Sequence, residues 1–488
     1  MPKFCVVAGL IFTFFLSSLL FVPFTDADSP ILNSSTSQSG ENNSAMIPKE
    51  LWNFTATNTT ANTIRISWAR PMVAKGVVYI TASETYTIPN ENYHDHFGFG
   101  PPQHTLGTVY ALNIYSGAKL WNLTARASIR SSTIIDGVAY ICAGSNLYAL
   151  DAVSGAQIWM YSIGGDILWS SAVINGVLYI GVHGSDYNCY VCALKVTNGD
   201  ELWKYNAGWG VSVSYPAIDD TAVYFGTFSA SNHYYAVNST NGDELWSFPV
   251  DSHVQASSTI ANDIVYFASN NYLYALNAEN GEKLWSYPAT FTQESSPIVV
   301  DGIVHINGGD SEVYALDASN GNKLWNFTTS NMFLPSLTVN DGVVYASSGG
   351  NLYALNAADG AQIWNYNTGG TTVSPTITKG AIYFKSGNNF YALNAANGNK
   401  FWSYSAGTTS VWSPAVLDGV LYFSLDGNLH AYSISSELSP SPSPTGSKQP
   451  ANAELPNQFL IVTLVVVVAV FLSATVLVKK RNNSKSPK

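Results

Sequence analysis

The sequence predicts an all-β protein in which small four-stranded sheets repeat around a closed ring. The first observation is a set of three residues that recurs eight times: an alanine ten positions and a glycine four positions before a tryptophan. The second is the spacing of these sets, about 40 residues, which is typical of repeats that bury their apolar faces against one another. The tryptophans are Trp121, Trp159, Trp203, Trp246, Trp285, Trp325, Trp364 and Trp402.

Each repeat divides into four short runs that have the composition of β-strands. In the fifth repeat the runs cover residues 257–260, 264–267, 273–277 and 283–287, and they are rich in β-branched and aromatic residues. Asn and Gly between the third and fourth runs supply the positive-φ positions of a tight turn. Each repeat is therefore predicted to form one antiparallel sheet with a third-to-fourth hairpin of fixed length.

The recurring alanines and tryptophans are interpreted as structural residues. An alanine at a fixed place indicates that neighbouring sheets approach too closely for a larger side chain. The indole then covers this joint and buries a large apolar area for little loss of conformational entropy. Regular spacing favours a core role over a ligand role, so we assign none of the eight tryptophans to a site. The alanines are Ala111, Ala149, Ala193, Ala236, Ala275, Ala315, Ala354 and Ala392.

The two ends of the repeat array predict how the ring closes. Residues 413–432 supply a ninth set of the first three strands, but no Leu-Trp strand follows them. Residues 51–55 form a Leu-Trp strand with no partners before it. Pairing the two would close a β-propeller and remove its open edge. The count predicts nine blades, with the more usual eight as the alternative.

The stretch from Leu147 to Trp159 resembles the tryptophan-docking repeat of pyrroloquinoline-quinone-type β-propellers, and the likeness covers roughly residues 51 to 435. This resemblance implies one of two kinds of function. One group comprises dehydrogenases that oxidise alcohols or sugars with the quinone and a Ca²⁺ ion on the propeller axis. The other comprises cofactor-free scaffolds, such as the lipoprotein of the bacterial outer-membrane β-barrel assembly machinery.

The motifs that the resembled dehydrogenases would need are not supported by this sequence. Such enzymes hold Ca²⁺ with acidic and amide oxygens, use a catalytic Asp, and in many members carry two adjacent cysteines over the quinone. The sequence has no Cys-Cys pair, and its relevant turns contain only isolated Asp166, Asp251 and Glu294. Quinone and Ca²⁺ therefore remain an option without motif support, and we assign no catalytic residue.

The segments outside the repeats predict an exported protein with a single membrane anchor. The first segment is apolar after Lys3 and ends at small residues, as in a signal peptide, although a retained N-terminal anchor is the alternative. Phe459 to Val478 is uncharged and precedes a basic cluster, which favours a membrane helix with a cytoplasmic tail over a buried core helix. The predicted segments are a signal peptide (1–27), a disordered Ser/Asn/Thr-rich segment (28–49), the propeller (50–435), a Ser/Pro-rich stalk (436–457), a transmembrane helix (458–478) and a basic tail (479–488).

Charge and sequons fit an exterior location. The formal net charge is −11, and because several Lys and Arg lie in the terminal segments, the exterior part is more acidic still. Such a surface disfavours nucleic acid as a partner, although solubility explains the charge equally well. Each Asn-x-Ser/Thr triplet is a weak signal alone, but together they fit a glycosylated surface protein. The candidates are Asn33, Asn42, Asn53, Asn58, Asn122, Asn238 and Asn326.

Two cysteines in the third repeat are candidates for a local disulfide. Cys189 and Cys192 are separated by two residues, and an oxidising compartment would permit their pairing. Cys192 occupies a position that is tyrosine in most repeats, which instead favours a packing role. A single CxxC without a second pair is weak support for zinc or redox chemistry.

A long insertion in the first repeat, Glu84 to Leu106, is predicted to be a functional loop because long loops on rigid scaffolds often carry specificity. Imidazole and carboxylate groups within it are candidate ligands of a transition metal. An aromatic and histidine-rich loop that packs over the rim is the alternative. The candidate metal ligands are His94, Asp95, His96 and His104.

The turns that join one blade to the next are predicted to lie on the same face as this insertion. They carry tryptophans outside the structural register together with scattered polar residues, a combination that binds sugar rings or planar cofactors. Plain packing over the central channel is the alternative. The ligand-binding candidates are Trp169, Trp209, Trp412, Arg130, His253 and Glu294.

From these features we expect a propeller displayed outside the cell on a single membrane pass. It would act as a binding or scaffold module for a glycan, an envelope component or a surface protein. The alternative is a quinone-dependent sugar or alcohol dehydrogenase.

Overall fold

A computed structural model describes most of the repeat region as a ring of β-sheets. The described residues are 49–55, 65–68, 71–87, 103–210, 212–228, 232–292, 295–329, 331, 337–370, 375–378, 380–405, 414–425 and 428–434. Their regular secondary structure consists of strands. Within these ranges there is no helix long and apolar enough to cross a membrane. The predicted signal peptide, stalk, transmembrane helix (458–478) and basic tail lie outside the described residues and stay predictions.

Nine sheets follow one another along the chain, and we number them blades 1 to 9. Blade 1 contains Arg65–Trp68 and Met72–Ala74, which both pair with Val77–Thr87, followed by Gln103–Asn113 and Lys119–Ala125. Blade 2 contains Ile129–Ile135, Val138–Ala143, Asn146–Asp151 and Gln157–Ser162. Blade 3 contains Gly165–Ile174, Val177–Gly184, Asn188–Lys195 and Glu201–Trp209.

The middle three blades have first strands of two or three residues. Blade 4 contains Ser212–Val213 and Ala217–Ile218, which both pair with Ala222–Phe228, followed by His233–Asn238 and Glu244–Pro249. Blade 5 contains Thr259–Ala261, Ile264–Ala268, Tyr272–Asn277 and Lys283–Pro288. Blade 6 contains Ile298–Val300, Ile303–Asn307, Glu312–Asp317 and Lys323–Thr328.

The last three blades complete the ring. Blade 7 contains Thr338–Asn340, Val343–Ser348, Asn351–Asn356 and Gln362–Asn367. Blade 8 contains Thr376–Thr378, Ala381–Ser386, Asn389–Asn394 and Lys400–Ser405. Blade 9 contains Ala415–Leu417, Val420–Leu425 and Asn428–Ser433, and its fourth strand is Lys49–Thr55 from the start of the chain.

Closure by the N-terminal strand is confirmed, and with it the count of nine blades. Trp52 pairs with Ala431 across an antiparallel ladder, so the first and the last strand of the ring share one sheet. The Trp52 indole N–H also donates to the carbonyl of Ile114 in blade 1, at 3.0 Å. The eight-blade alternative is wrong, because the three C-terminal strands and the N-terminal strand together make one more complete sheet.

Six of the nine described blades join the next through two aromatic donors that share one acceptor. In blade 5 the Trp285 indole N–H and the Tyr266 hydroxyl both donate to the carbonyl of Ala318 in blade 6, at 3.0 and 2.9 Å. The two rings lie tilted, with centroids 5.8 Å apart. Blades 1, 3, 4, 7 and 9 repeat the two-donor arrangement. The predicted joint role of the tryptophans is therefore confirmed.

The alanine and glycine of each repeat fit the same joint. Ala275 lies directly across the ladder from Trp285 and is fully buried, as are the equivalent alanines. Gly281 has φ of +72°, and a Cβ placed on it would lie 2.6 Å from Cδ2 of Trp246 in the preceding blade. The turn therefore needs glycine both for its backbone conformation and for the face of the neighbouring indole.

Every outer strand contains a β-bulge at the residue before its tryptophan. In blade 2, Gln157 pairs with Leu150 and Trp159 with Ala149, so Ile158 is the extra residue. The same register shift occurs in the other eight blades. Because a bulge twists a strand and interrupts regular pairing, it protects the open outer edge of each blade from pairing with another chain.

Blade 6 departs from this pattern at one buried position. His305 occupies the place of the donor tyrosine, packs against Trp325 with ring centroids 5.6 Å apart, and is 1% exposed. Neither of its ring nitrogens has a hydrogen-bond partner. Burial lowers the pKa of His305 to about 4, because the charged imidazolium would lose its hydration there.

Two sequence predictions are corrected by the strand assignments. The insertion of blade 1 is not a loop from Glu84 to Leu106, because Glu84 pairs with Leu106 and Thr87 with Gln103 in a continuation of the hairpin. A disulfide between Cys189 and Cys192 is also wrong. On an extended strand, residues three apart point to opposite faces. The two thiols are accordingly buried in two different core clusters.

We expect Gly281→Ala to destabilise the ring more than Gly302→Ala does. Both glycines have positive φ, +72° and +75°, but only at Gly281 would the new methyl group meet a neighbouring side chain. Gly302→Ala should therefore cost about 1 kcal/mol for the backbone alone, and Gly281→Ala about 1–3 kcal/mol more for overpacking. Denaturant unfolding of the two variants measures the difference. Equal losses would contradict a close Gly–Trp contact.

A double-mutant cycle on Tyr266→Phe and Trp285→Phe should be non-additive. Either single change leaves the Ala318 carbonyl with one donor, whereas the double change leaves a buried carbonyl with neither. An unsatisfied buried acceptor costs about 1–3 kcal/mol, so the double variant should lose more free energy of unfolding than the sum of the singles. Additive losses would show that the two donors act independently.

We expect the free energy of unfolding to fall as the pH is lowered from about 6.5 to 4, in part because of His305. Its folded-state pKa lies below its unfolded value, so the unfolded state binds more protons in this window. The contribution should reach on the order of 3 kcal/mol. His305→Tyr and His305→Phe should both remove it, as chemical unfolding across this pH range would measure. The tyrosine variant should gain more stability at pH 7 than the phenylalanine variant, because its hydroxyl should donate to the Ala357 carbonyl, which already accepts from the Trp325 indole N–H.

Candidate functional site

The two faces of the ring differ in the connections that form them. The first strands of neighbouring blades contact one another around the axis, and the fourth strands form the outer rim. Because the strands alternate in direction, the blade-to-blade connections and the second-to-third-strand loops lie on one face, which we call the loop face. The first-to-second and third-to-fourth hairpins lie on the opposite, hairpin face.

Arg130 and Asp166 meet on the loop face near the axis. The Arg130 Nη2 atom lies 3.1 Å from Oδ2 of Asp166, and both side chains are about half exposed, at 47% and 51%. They begin the first strands of blades 2 and 3, rather than lying in turns as the sequence analysis predicted. An ion pair this exposed contributes little stability, so its charges remain available to a ligand.

Two exposed aromatic side chains occupy the loop face of blade 3 farther from the axis. Trp209, at the end of the fourth strand, is 67% exposed, and Tyr187, in the second-to-third-strand loop, is 65% exposed. The backbone brings them together, because Trp209 pairs with Asn188 and the Gly210 N–H donates to the Tyr187 carbonyl at 3.2 Å. Trp209 was predicted in a turn, and its place on a strand end gives it a fixed backbone.

The loop that carries Tyr187 is held by its own carboxylate. Asp186 accepts hydrogen bonds from the Asn188 side chain and backbone N–H and from the Tyr190 hydroxyl. These donors lower the pKa of Asp186 to about 2, with the Tyr190 hydroxyl contributing most. The carboxylate therefore stays ionised at physiological pH and orients the loop beneath the exposed tyrosine ring.

These residues form one radial line across blade 3, which we call the blade 3 ridge. Asp166 pairs across the ladder with His183, and the His183 ring makes an edge contact with Tyr187 at 6.4 Å between centroids. Tyr187 then adjoins Trp209 at the rim. From axis to rim the ridge thus offers the Arg130–Asp166 ion pair, an imidazole, a phenol and an indole.

His253 lies away from this ridge, in the connection between blades 4 and 5. Its Nδ1 atom lies 2.7 Å from Oδ1 of Asn232, and its ring packs at 4.1 Å from that of Phe228. The two contacts reach Asn232 in the second-to-third-strand loop of blade 4 and Phe228 at the end of the strand before it. They hold the loop against the blade-to-blade connection, so packing alone accounts for the position of His253.

The remaining sequence candidates are only partly described. Trp169 lies within the first strand of blade 3, opposite Gly181, rather than in a turn, and its side chain is outside the described part. His104 pairs with Tyr86 along the extended hairpin of blade 1. The candidates that lie outside the described residues are Trp412, Glu294, His94, Asp95 and His96.

The described residues do not fit a Ca²⁺–quinone centre. In the described side chains of the first strands, Asp166 is the one carboxylate, and its ion-pair partner is Arg130. Across the described part of the chain, no group of three or more His, Cys, Asp or Glu side chains is placed to hold a metal ion. Isolated carboxylates of this kind do not provide the oxygen-rich cage that Ca²⁺ takes.

The sequence profile of a family described as outer membrane protein assembly factor BamB matches the chain in four overlapping stretches. These cover residues 48–167, 105–226, 188–333 and 309–438, and together they span the whole ring. The chain belongs to this family. The resemblance expected from the tryptophan-docking repeat is thereby confirmed.

Individual relatives are more distant. A tetrathionate hydrolase from Acidianus ambivalens is 27% identical over 168 residues, which cover 30% of this chain and 31% of the relative. The chain thus matches less than a third of that protein's length.

Two solved structures are similar to this chain at low sequence identity. BamB from Moraxella catarrhalis is 17% identical with a TM-score of 0.48, and the match covers 79% of this chain and 100% of that one. A quinohemoprotein alcohol dehydrogenase from Comamonas testosteroni is 14% identical with a TM-score of 0.49, covering 83% and 79%. The activities in these names belong to those proteins.

The sequence analysis named Arg130 and Trp209 as candidates but did not name the residues that lie between them. Tyr187 and His183 lie near a Gly-Ser-Asp sequence that reads simply as a turn. An aromatic residue inside such a polar turn is a signal that could have been used, since a turn residue with nothing to pack against is exposed. The partnership of Asp166 with Arg130 had no sequence signal, because the two residues belong to different blades.

Proposed function

We propose that this protein is a non-catalytic binding module of the cell surface and that the blade 3 ridge binds its ligand. The proposal rests on the two large aromatic side chains, Tyr187 and Trp209, that stand exposed next to each other on fixed backbone. Exposed aromatic rings of this kind are typical of binding surfaces, where they bury area at low entropic cost. The predicted signal peptide and C-terminal anchor would place this face outside the cell.

The chemistry of the ridge favours a glycan chain as the ligand. Sugar rings present apolar faces that stack on indole and phenol rings, and their hydroxyl groups bond to charged side chains. The ridge offers both along one line, with aromatic rings toward the rim and the Arg130–Asp166 pair toward the axis. An extended oligosaccharide would lie along this line.

A protein partner is the second candidate. The family to which the chain belongs is described by a protein assembly factor, which favours binding of a polypeptide on the same scaffold. Tyr, Trp and Arg are also the residues that most often dominate protein interfaces.

Replacing both Tyr187 and Trp209 by Ala should weaken binding of the purified protein to isolated cell envelopes about tenfold or more. Two exposed aromatic contacts of this kind are each worth about 1–2 kcal/mol when a ligand covers them. The matched control is Tyr115→Ala, since Tyr115 is 82% exposed but lies in a hairpin on the opposite face. Sedimentation of labelled protein with envelopes measures the affinity.

Pre-treatment of the envelopes separates the two ligand classes. Periodate, which cleaves sugar diols, should abolish binding of a glycan ligand, whereas protease should abolish binding of a protein. Unchanged binding of the Tyr187/Trp209 double variant, or an equal loss in Tyr115→Ala, would contradict the proposed face.

A further inference from the structure

Three Asn-x-Thr triplets occupy the same position in three different blades. Asn53, Asn122 and Asn326 each directly follow a docking tryptophan, in blades 9, 1 and 6. Each lies on the fourth strand, opposite the third-strand residue that precedes the recurring alanine. Because the tryptophan points into the joint, the next residue points outward, and all three asparagines are exposed.

The outer rim leaves these side chains accessible. The fourth strand is the last in its sheet and is hydrogen-bonded along one side, so its neighbourhood is open. In blade 1 the Asn122 Nδ2 atom lies 3.4 Å from Oγ1 of Thr124, and in blade 6 Asn326 Nδ2 lies 3.5 Å from Oγ1 of Thr328. The amide and hydroxyl groups of each triplet therefore lie side by side on the solvent face.

Asn238 carries the same triplet but sits in a different environment. It ends the third strand of blade 4, where its Oδ1 atom accepts hydrogen bonds from the backbone N–H groups of Thr240 and Asn241 at 2.8 and 3.2 Å. Asn238 is half-buried, and Ser239, the middle residue of the triplet, is 7% exposed. The Ser239 carbonyl also accepts the hydrogen bonds from Trp203 and Tyr179 of blade 3. The Asn238 triplet is therefore part of the contact between blades 3 and 4.

We propose that Asn53, Asn122 and Asn326 carry N-linked glycans on the outer rim and that Asn238 does not. The donor would be a lipid-linked oligosaccharide (pyro)phosphate used by a membrane transferase of the host. The Asn Nδ2 atom attacks the anomeric carbon, the N–C bond forms as the C–O bond to phosphate breaks, and the amide proton passes to a base of the transferase. The proposal rests on the same export to the cell surface as the proposed function.

The test is site-by-site occupancy in the full chain, produced in cells that carry out N-linked glycosylation and recovered from their membranes. Enzymatic removal of N-linked glycans converts each modified Asn to Asp, which mass spectrometry of peptides detects. We expect conversion at Asn53, Asn122 and Asn326 and its absence at Asn238. Asn122→Gln and Asn326→Gln should each remove one glycan and leave the unfolding temperature unchanged.

A gain-of-site variant provides the matched control. Asn365 in blade 7 has the same register and exposure, but residue 367 is Asn rather than Thr, so it is no acceptor. Asn367→Thr should add a further glycan at Asn365. Unmodified Asn122 and Asn326 in the recovered protein, or equal occupancy at Asn238, would overturn the proposal. Envelope binding by the Asn122→Gln/Asn326→Gln variant reports on the loop face separately, so failure here leaves the proposed function standing.

Discussion

The structure depends on one interblade interaction, in which a tryptophan and a tyrosine of one blade donate to the same carbonyl of the next. In blade 4 the acceptor is Ala278 O, reached by Trp246 and Tyr224. A single blade cannot cover its own face, so stability comes from these joints between neighbours. The Trp–Gly contact sets the spacing of the sheets, because the indole lies against a glycine that has no side chain. This contact accounts for the strict spacing of Ala, Gly and Trp along the chain.

Ring closure follows from the same interaction. The strand around Trp52 makes the last joint by donating to Ile114 of blade 1, while its own backbone pairs with the C-terminal strand of blade 9. Separating the ends would therefore break a sheet and a joint together. In blade 6, His305 fills the tyrosine position without a hydrogen bond. The energetic consequence is local, because each joint involves only adjacent blades.

The sequence was sufficient for the fold but not for the site. Spacing predicted the blades, the buried alanines, the turn glycines and the closing strand, because each of these is repeated and set by local geometry. It did not predict that the insertion of blade 1 continues as a hairpin, since its polar and glycine-rich composition is that of a loop. Nor did it reveal that Asp166 pairs with Arg130, a contact made between blades. The position of Cys189 and Cys192 on opposite strand faces became clear only once the strand was assigned.

The two faces of the ring differ in which connections can vary in length and sequence, and this difference explains where binding specificity can develop. On the hairpin face, the third-to-fourth turn cannot change length without displacing its glycine from the neighbouring indole, so blades 1 to 8 all keep it. On the loop face, the connections take no part in the Trp–Tyr joint and are free to vary. Blade 3 uses this freedom to expose Tyr187 and Trp209, and blade 1 uses it to extend the pairing of Val77–Thr87 with Gln103–Asn113. A joint that recurs from blade to blade on one side thus permits connections that differ from blade to blade on the other.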